Sequence, residues 1–258
     1  MADWLYHLPV ISMAVVVFTM TFLGTGLIYG AVLVIAKEGR GRSLKGMSPV
    51  MLTPLAVVFG LLVGFLSAQV WNDADRANAA VAREASALHT VVLLAARLPK
   101  ETATRLRGFV RRHIQDAVQL EWPAMAGKRA TLNMLTQVDT EALQFIFAVP
   151  AQNEAQIFAQ REMVAALENA LEARRQRIII SRSTINGVKW AVVILLAALI
   201  LLTIAIVHID NRVTAAVAMA IFATGLAACI VLIASHNRPF TGEISVGPDL
   251  LLQVMPEE

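Results

Sequence analysis

Glu84, Glu121, His89 and His113 are residues whose types could do acid–base or metal chemistry, and all four fall in the chain's one long polar stretch. Their spacing argues against both. General acid–base catalysis needs two groups within reach of one substrate atom, and Glu84 and Glu121 stand as isolated carboxylates. Neither histidine has a second His or a carboxylate at metal spacing, so both read as surface or core histidines. A second set, His208, Asp210 and Arg212 with His236 and Asn237, is the best constellation for an enzyme acting on lipid, but it falls in two segments on opposite faces of a membrane, which argues against one shared active site. No Gly-rich phosphate loop, nucleophile elbow or HExxH occurs. The single cysteine, Cys229, can form no internal disulfide and reads as a small apolar residue. No catalytic residue, metal or cofactor is expected.

The elements that hold these residues are dominated by apolar runs. The 258-residue chain is 57% hydrophobic and 16% charged, whereas soluble domains run about 45–50% apolar and about 25% charged. The excess sits in four blocks, residues 9–36, 49–71, 188–207 and 213–234. None contains Asp, Glu or Arg, and Lys189 lies at the edge of the third, where it can snorkel. Runs of this length read as membrane-spanning helices, because in hydrocarbon each span must satisfy its own backbone. A signal peptide is disfavoured for the first block, which is too long and lacks a basic start. Pro54 falls in the first turns of the second block, where a missing N–H costs least. Gly60 and Gly64 share one helix face, a weak signal for close helix approach. The five-residue link at 208–212 makes the last two spans antiparallel neighbours.

Residues 72–187 are the polar exception, with 15 Lys+Arg and 12 Asp+Glu by count. They are rich in strong helix formers, and prolines divide them into four predicted helices. The first, 72–98, continues the second span, with Ala74, Val81, Leu88 and Ala95 on one seam beside Ala77, Val91 and Leu98. The second, 101–122, carries Leu106, Val110, Ile114, Ala117 and Leu120 and stops at Pro123. The third, 129–149, carries Leu132, Leu135, Val138, Ala142, Phe145 and Val149. The fourth, 152–186, runs into the third span with Ile157, Val164, Leu171, Ile178 and Ile185 every seven residues. Arg174, Arg175, Arg177 and Arg182 on it either meet anionic lipid or form a solvated face. The fold class predicted is an all-α membrane protein: four transmembrane helices with an antiparallel helical bundle between spans two and three. The domains are 1–71 with a short basic loop at 37–49, 72–187, 188–234 and the tail 235–258.

The chain's formal charge of +3 points to lipid and topology and not to nucleic acid. Lys37, Arg40, Arg42, Lys45 and Arg212 share the short-loop face, which the positive-inside rule puts in the cytoplasm. The bundle then leans extracytoplasmic at the cell membrane. Counting Arg76, Arg83, Arg174, Arg175, Arg177, Arg182 and Lys189 reverses the sum. Trp4, Tyr6, Trp71 and Trp190 are expected to form one interfacial belt.

Several motifs carry a family resemblance. They are Val70-Trp71-Asn72-Asp73, then Val81-Ala82-Arg83-Glu84-Ala85-Ser86-Ala87-Leu88, Leu98-Pro99, Glu121-Trp122-Pro123-Ala124-Met125, and the tail Arg238-Pro239-Phe240-Thr241-Gly242. Together they resemble a bacterial membrane family, a domain of unknown function labelled bestrophin-like. The resemblance implies kinship with bestrophins, pentameric anion channels whose second span lines the pore through a Gly-Phe segment, as Gly64-Phe65 is placed here. It implies a helical region on the cytoplasmic side, against the short-loop charges. The bestrophin calcium segment is matched weakly, since only Glu243 and Asp249 supply charge after Pro239-Phe240.

Two functions from different classes follow. In the first, the chain is the protomer of a homo-oligomeric passive ion channel in the lipid bilayer. Leu62, Phe65, Leu66 and Gln69 are its pore-lining candidates, and Asp73 and Arg76 form rings at the mouth. Spans without mid-membrane ionisable groups disfavour proton-coupled pumps but suit an apolar constriction. In the second, the chain is a non-enzymatic sensor or scaffold whose bundle binds a ligand or partner.

Overall fold

A computed structural model of the chain describes residues 3–36, 48–134 and 136–257. Most of the predicted basic loop 37–49, with Lys37, Arg40, Arg42 and Lys45, lies outside the described residues, as does Leu135. Nine α-helices are described: α1 Val10–Ile35, α2 Leu52–Ala95, α3 Lys100–Asp116, α4 Trp122–Ala126, α5 Thr136–Ala148, α6 Glu154–Ile180, α7 Gly187–Val207, α8 Arg212–His236 and α9 Asp249–Gln253. Contacts divide the chain into two compact units.

The first unit comprises Met1–Trp71, Thr184–Asn237 and Gly242–Ile244. It holds α1, the apolar part of α2, α7 and α8, and all four apolar runs form helices long and apolar enough to cross a membrane. Polar caps fix where α7 and α8 begin. Asn186 Oδ1 accepts from the Lys189 amide at 2.9 Å and Asn211 Oδ1 from the Thr214 amide at 3.1 Å. Pro9 cannot cap α1 in this way. Its first amide, Val10 N, donates instead to Glu243 Oε2 at 3.0 Å. The core of the unit is built from Val17 of α1, Val193, Ala197 and Ile200 of α7, and Met219 and Ala227 of α8.

The four aromatics expected in the belt divide by burial within the chain. Trp4 and Trp71 are exposed, but Tyr6 and Trp190 are buried at 7% and 3% exposure. Tyr6 is drawn inward because its hydroxyl accepts from Asn237 Nδ2 at 3.0 Å, while Asn237 Oδ1 accepts from the Ile185 amide at 2.8 Å. Lys189 does not snorkel free: its Nζ donates to Gln69 Oε1 at 2.6 Å. Gly242 takes φ +95°, and a Cβ there would stand 3.1 Å from the Tyr6 carbonyl, so the position needs glycine.

The second unit comprises Asn72–Ser183, Arg238–Thr241 and Ser245–Glu258. Beyond Trp71 the α2 helix carries Asp73, Asp75, Arg76, Arg83 and Glu84, and this part lies outside the apolar span. Its predicted seam is buried: Ala77, Val81, Leu88, Val91 and Ala95 face the core. The helix predicted at 101–122 does not stop at Pro123. After α3 the chain widens into a π turn, Ala117–Glu121, and re-enters α-helix at Trp122 with Pro123 in the first turn. The path stays helical through Glu121, the Trp122 N–H bonding back to the Ala117 carbonyl in the wider π pattern, and Pro123 follows directly on that widened turn. Leu120, predicted inward, is exposed, and Glu121 is buried.

The helix predicted from 129 begins only at Thr136. Lys128 adopts φ 57° just after the end of α4, residues 129–134 are coil and turn, and Leu132 is exposed. Nor does α6 run into the next span. It ends at Ile180, and the Ser181 hydroxyl bonds back to the Ile178 carbonyl. The heptad seam holds at Ile178 and Ile185, both buried, but not before them. Ile157 is exposed and Val164 and Leu171 are half-buried, whereas the buried face passes through Ala159, Met163, Ala166, Ala170, Ala173, Arg174 and Arg177.

Candidate functional site

That buried face of α6 explains a second correction. Arg174 and Arg177, read from sequence as lipid-facing or solvated, are 3% and 0% exposed. A buried guanidinium must be paired, and both are. Arg177 Nε donates to Glu84 Oε2 at 2.8 Å, and Arg177 Nη2 reaches Glu84 Oε1 at 3.0 Å and Glu121 Oε2 at 2.8 Å. Arg174 Nε donates to Glu121 Oε1 at 2.7 Å, and Arg174 Nη2 reaches the Met134 carbonyl. The two carboxylates read as isolated therefore share one cluster with two guanidiniums, and the formal charges cancel. Arg175, by contrast, is an exposed neighbour of Glu172, and Arg182 bonds the Ala130 carbonyl.

Three elements position the cluster. Glu84 projects from α2, Glu121 ends the π turn, and Arg174 and Arg177 stand three apart on α6, one face of a helix. His113 of α3, buried as a core histidine, places Nε2 2.9 Å from Glu84 Oε1. Burial alone would raise the Glu84 pKa. The Arg177 charge, with hydrogen bonds from His113 and Arg177, overrides it and holds the carboxyl at about 2. Glu84 is thus an anion at neutral pH, so His113 Nε2 must carry the donated proton. For Arg177, burial works against its charge, but Glu84 and Glu121 outweigh it and raise its pKa.

Such a cluster is poorly suited to catalysis. Both carboxylates are already paired, and the space beside His113 is a cavity of about 10 Å³, at most one water. It acts as a polar tie between helices. Trp122 extends the tie to the tail. Its ring lies under the Arg177 guanidinium at 4.4 Å, its edge meets Phe240 at 5.9 Å and 84°, and its Nε1 donates to the Val246 carbonyl at 3.1 Å. The Pro239 carbonyl accepts from the Val246 amide at 2.7 Å, closing the tail's turn. Of the motif residues, Glu84, Glu121, Trp122, Pro123, Arg238, Pro239 and Phe240 belong to this unit. Trp71 and Gly242 belong to the other, and Asn72 is exposed at the start of the second.

The pore-lining candidates separate. In the first unit Leu66 is buried at 3% exposure, Leu62 is half-buried, and Gln69 is held by Lys189. Phe65 is 71% exposed. In the second unit Asp73 and Arg76 pair at 3.7 Å along their own helix. Glu243, half of the charge available for a calcium site, is engaged at the start of α1. Among the described residues no group of three or more His, Cys, Asp or Glu is placed to hold a metal.

Four apolar helices and a polar helical unit tied by buried ions, with no strand among the described residues, define an all-α multi-pass membrane protein. The Bestrophin-like domain matches residues 16–251, and the chain belongs to that family. No curated protein matches the sequence. Among solved structures, a point mutant of a bacterial bestrophin homologue from Klebsiella pneumoniae is similar in fold. The TM-score is 0.70 at 9% identity, covering 93% of this chain and 96% of that one.

Proposed function

We propose that the chain is the protomer of a homo-oligomeric passive ion channel. The observation that carries this reading is the uncovered face of the apolar part of α2. Val57, Gly60, Leu61, Gly64, Phe65 and Ala68 recur at helical spacing, and all are exposed within the chain. No atom would come within 4 Å of a Cβ at Gly60 or Gly64. Small residues on an apolar helix favour close approach of another helix. Phe65 on that face fits the role of an apolar constriction, while Leu62, Leu66 and Gln69 are engaged inside the chain and act by holding α2 in place. Asp73 and Arg76 supply paired charges where α2 becomes polar. The kinship with bestrophins supports the same assignment, as does the lack of Asp, Glu and Arg in the spans.

For sidedness we propose that the polar unit faces the cytoplasm, against the lean of the short-loop charges. The basic residues within about 15–20 positions of the span ends count toward orientation, and Arg76, Arg83, Arg174, Arg175, Arg177 and Arg182 all fall there. The bestrophin layout points the same way.

The test is reconstitution of purified protein in planar bilayers, with mass measured in lipid nanodiscs. Conductance from a species of several chains is the expected result. A silent monomer or dimer, under varied salts and voltages, would replace the channel with a sensor or scaffold.

A further inference from the structure

We propose that the groove between α1, α7 and α8 in the first unit holds one acyl tail of a bilayer phospholipid. It is a cavity of about 300 Å³. Val17, Thr21, Gly24 and Ile28 line it from α1 at steps of four, three and four, so they share one helix face. Ile194, Ala197, Ala198 and Leu201 line it from α7, and Leu226 and Ile230 from α8. Its floor is buried, at Val17, Thr25, Ala197, Leu201 and Leu226, while Met20 and Ile194 at the rim are 66% and 56% exposed. The groove therefore opens on the flank of the helices.

Depth and length point to hydrocarbon. Val16, the first α1 residue of the lining, stands six residues inside the helix, and Ile28 stands seven before its end. The groove thus lies at the depth of the hydrocarbon core. From Val16 to Ile28 the helix rises about 18 Å, close to the roughly 15 Å of one leaflet. A second helix, about 10 Å across, would need about 1,400 Å³ over that length, several times the cavity. An extended hydrocarbon tail, whose width is set by carbon contacts of about 4 Å, fits.

Chemistry agrees with shape. The lining has no charged side chain, and its polar side chains are Thr21 and Thr25. The Thr25 hydroxyl donates to the Thr21 carbonyl at 2.8 Å, so it is satisfied within α1. A headgroup or an ion would find no counter-charge there. Between apolar helices and lipid tails no hydrophobic force acts, and packing decides what sits where. An unfilled groove forfeits the dispersion contacts of its walls, and a tail drawn from the surrounding leaflet restores them. Gly24 keeps the space open, since a Cβ there would have no neighbour within 4 Å. The assignment does not depend on the channel reading.

The test uses the full chain in nanodiscs of phosphatidylcholine that carries a diazirine on one tail. After irradiation, peptide mass spectrometry reads which residues are labelled. Label is expected to concentrate on Val17, Thr21 and Ile28 over Leu23 and Leu27, exposed residues of the same helix. Gly24→Leu fills the groove with a side chain at home in a membrane helix, and Ala198→Leu fills it from α7. Each drops the groove label to the level of Leu23 and Leu27. Gly26→Leu adds the same side chain two residues away, at an exposed position with equal free space, and leaves the pattern unchanged. A second arm releases the protein into mild detergent and weighs it intact. Retained phospholipid is expected in wild type and Gly26→Leu, and its loss in the two groove variants. The wild-type pattern decides alone if a variant misfolds. Even labelling along α1, groove label unchanged in folded Gly24→Leu and Ala198→Leu, a fatty-acid mass in place of a phospholipid one, or a groove left unlabelled because a second copy fills it, overturns the proposal.

Discussion

Arg177 grips Glu84 through two N–H bonds of 2.8 and 3.0 Å, tying α6 to α2 across 93 residues of sequence. The same guanidinium also reaches Glu121 at the end of the π turn. Three chain segments are therefore fixed by one side chain that is fully buried. Bidentate geometry sets both distance and angle between them. A hydrophobic contact would set only proximity.

Removing Arg177 leaves two buried carboxylates short of a partner. Breaking a buried pair in this way costs about 3–5 kcal/mol. Arg177→Met is expected to unfold the polar unit at a much lower temperature than wild type. Arg175→Met, at an exposed position, is expected to change stability by about 0.5 kcal/mol or less. Thermal unfolding followed by circular dichroism in detergent separates the two.

The same pair makes stability depend on acid. The Glu84 pKa is about 2 in the folded chain against 4.5 as its ordinary value. Between those values the unfolded chain binds the proton and the folded chain does not, so stability rises with pH there. The contribution is complete above about pH 5 and is lost as pH falls toward 2, amounting to about 3 kcal/mol at 1.36 kcal/mol per unit. Unfolding temperature should be flat from pH 8 to 5 as far as Glu84 governs it, then fall. In Glu84→Gln the acid-dependent part of the fall should shrink, from a lower starting stability.

How much of this was legible in the sequence follows from what each residue type advertises. The spans were plain, because uncharged runs have one solvent that suits them. The α2 seam was plain too, since Val81, Leu88, Val91 and Ala95 are apolar and buried. The ion cluster was not, because hydrophobic periodicity scores arginine as surface and so moved the α6 seam to Ile157 and Val164. A signal did exist. Arg174 and Arg177 lie on the helical face of Ala166, Ala170 and Ala173, and alanines leave room for a guanidinium stem. The π turn was hidden because a Pro two residues after Glu121 reads as a stop.

The tail is held by Trp122 through Phe240 and the Val246 carbonyl. Phe240→Ala empties a buried site and is expected to cost about 3–5 kcal/mol. Trp122→Phe keeps most of the ring but removes the indole donor, about 1 kcal/mol. Limited proteolysis should cut the tail fastest in Phe240→Ala, at an intermediate rate in Trp122→Phe, and slowest in wild type. Equal rates would show that Trp122 does not hold the tail.

Phe65 and Leu66 are adjacent but differ in exposure, 71% against 3%. If the exposed face of α2 lines the conduction path, Phe65→Ser widens or wets an apolar constriction and raises single-channel conductance with little loss of unfolding temperature. Leu66→Ser buries a hydroxyl and creates a cavity, at a cost of about 2–5 kcal/mol. It should lower stability and protein yield more than it changes conductance. The reverse pattern would move the conduction path to the other side of α2.

Sidedness can be read with a thiol. Cys229 is the single native cysteine, so Cys229→Ser gives a cysteine-free background. Arg161 on α6 is exposed, and Arg161→Cys places a reactive group on the polar unit. With that unit in the cytoplasm, a membrane-impermeant maleimide should label the protein in inverted vesicles and permeabilised cells but leave intact cells unlabelled. The short-loop charges predict the opposite. Labelling of intact cells, with the same protein protected in sealed inverted vesicles, would put the polar unit outside and would mean that the flanking arginines do not count. Buried ion pairs would then be why Arg174 and Arg177 escape the sum, since each is neutralised by a glutamate in the folded unit.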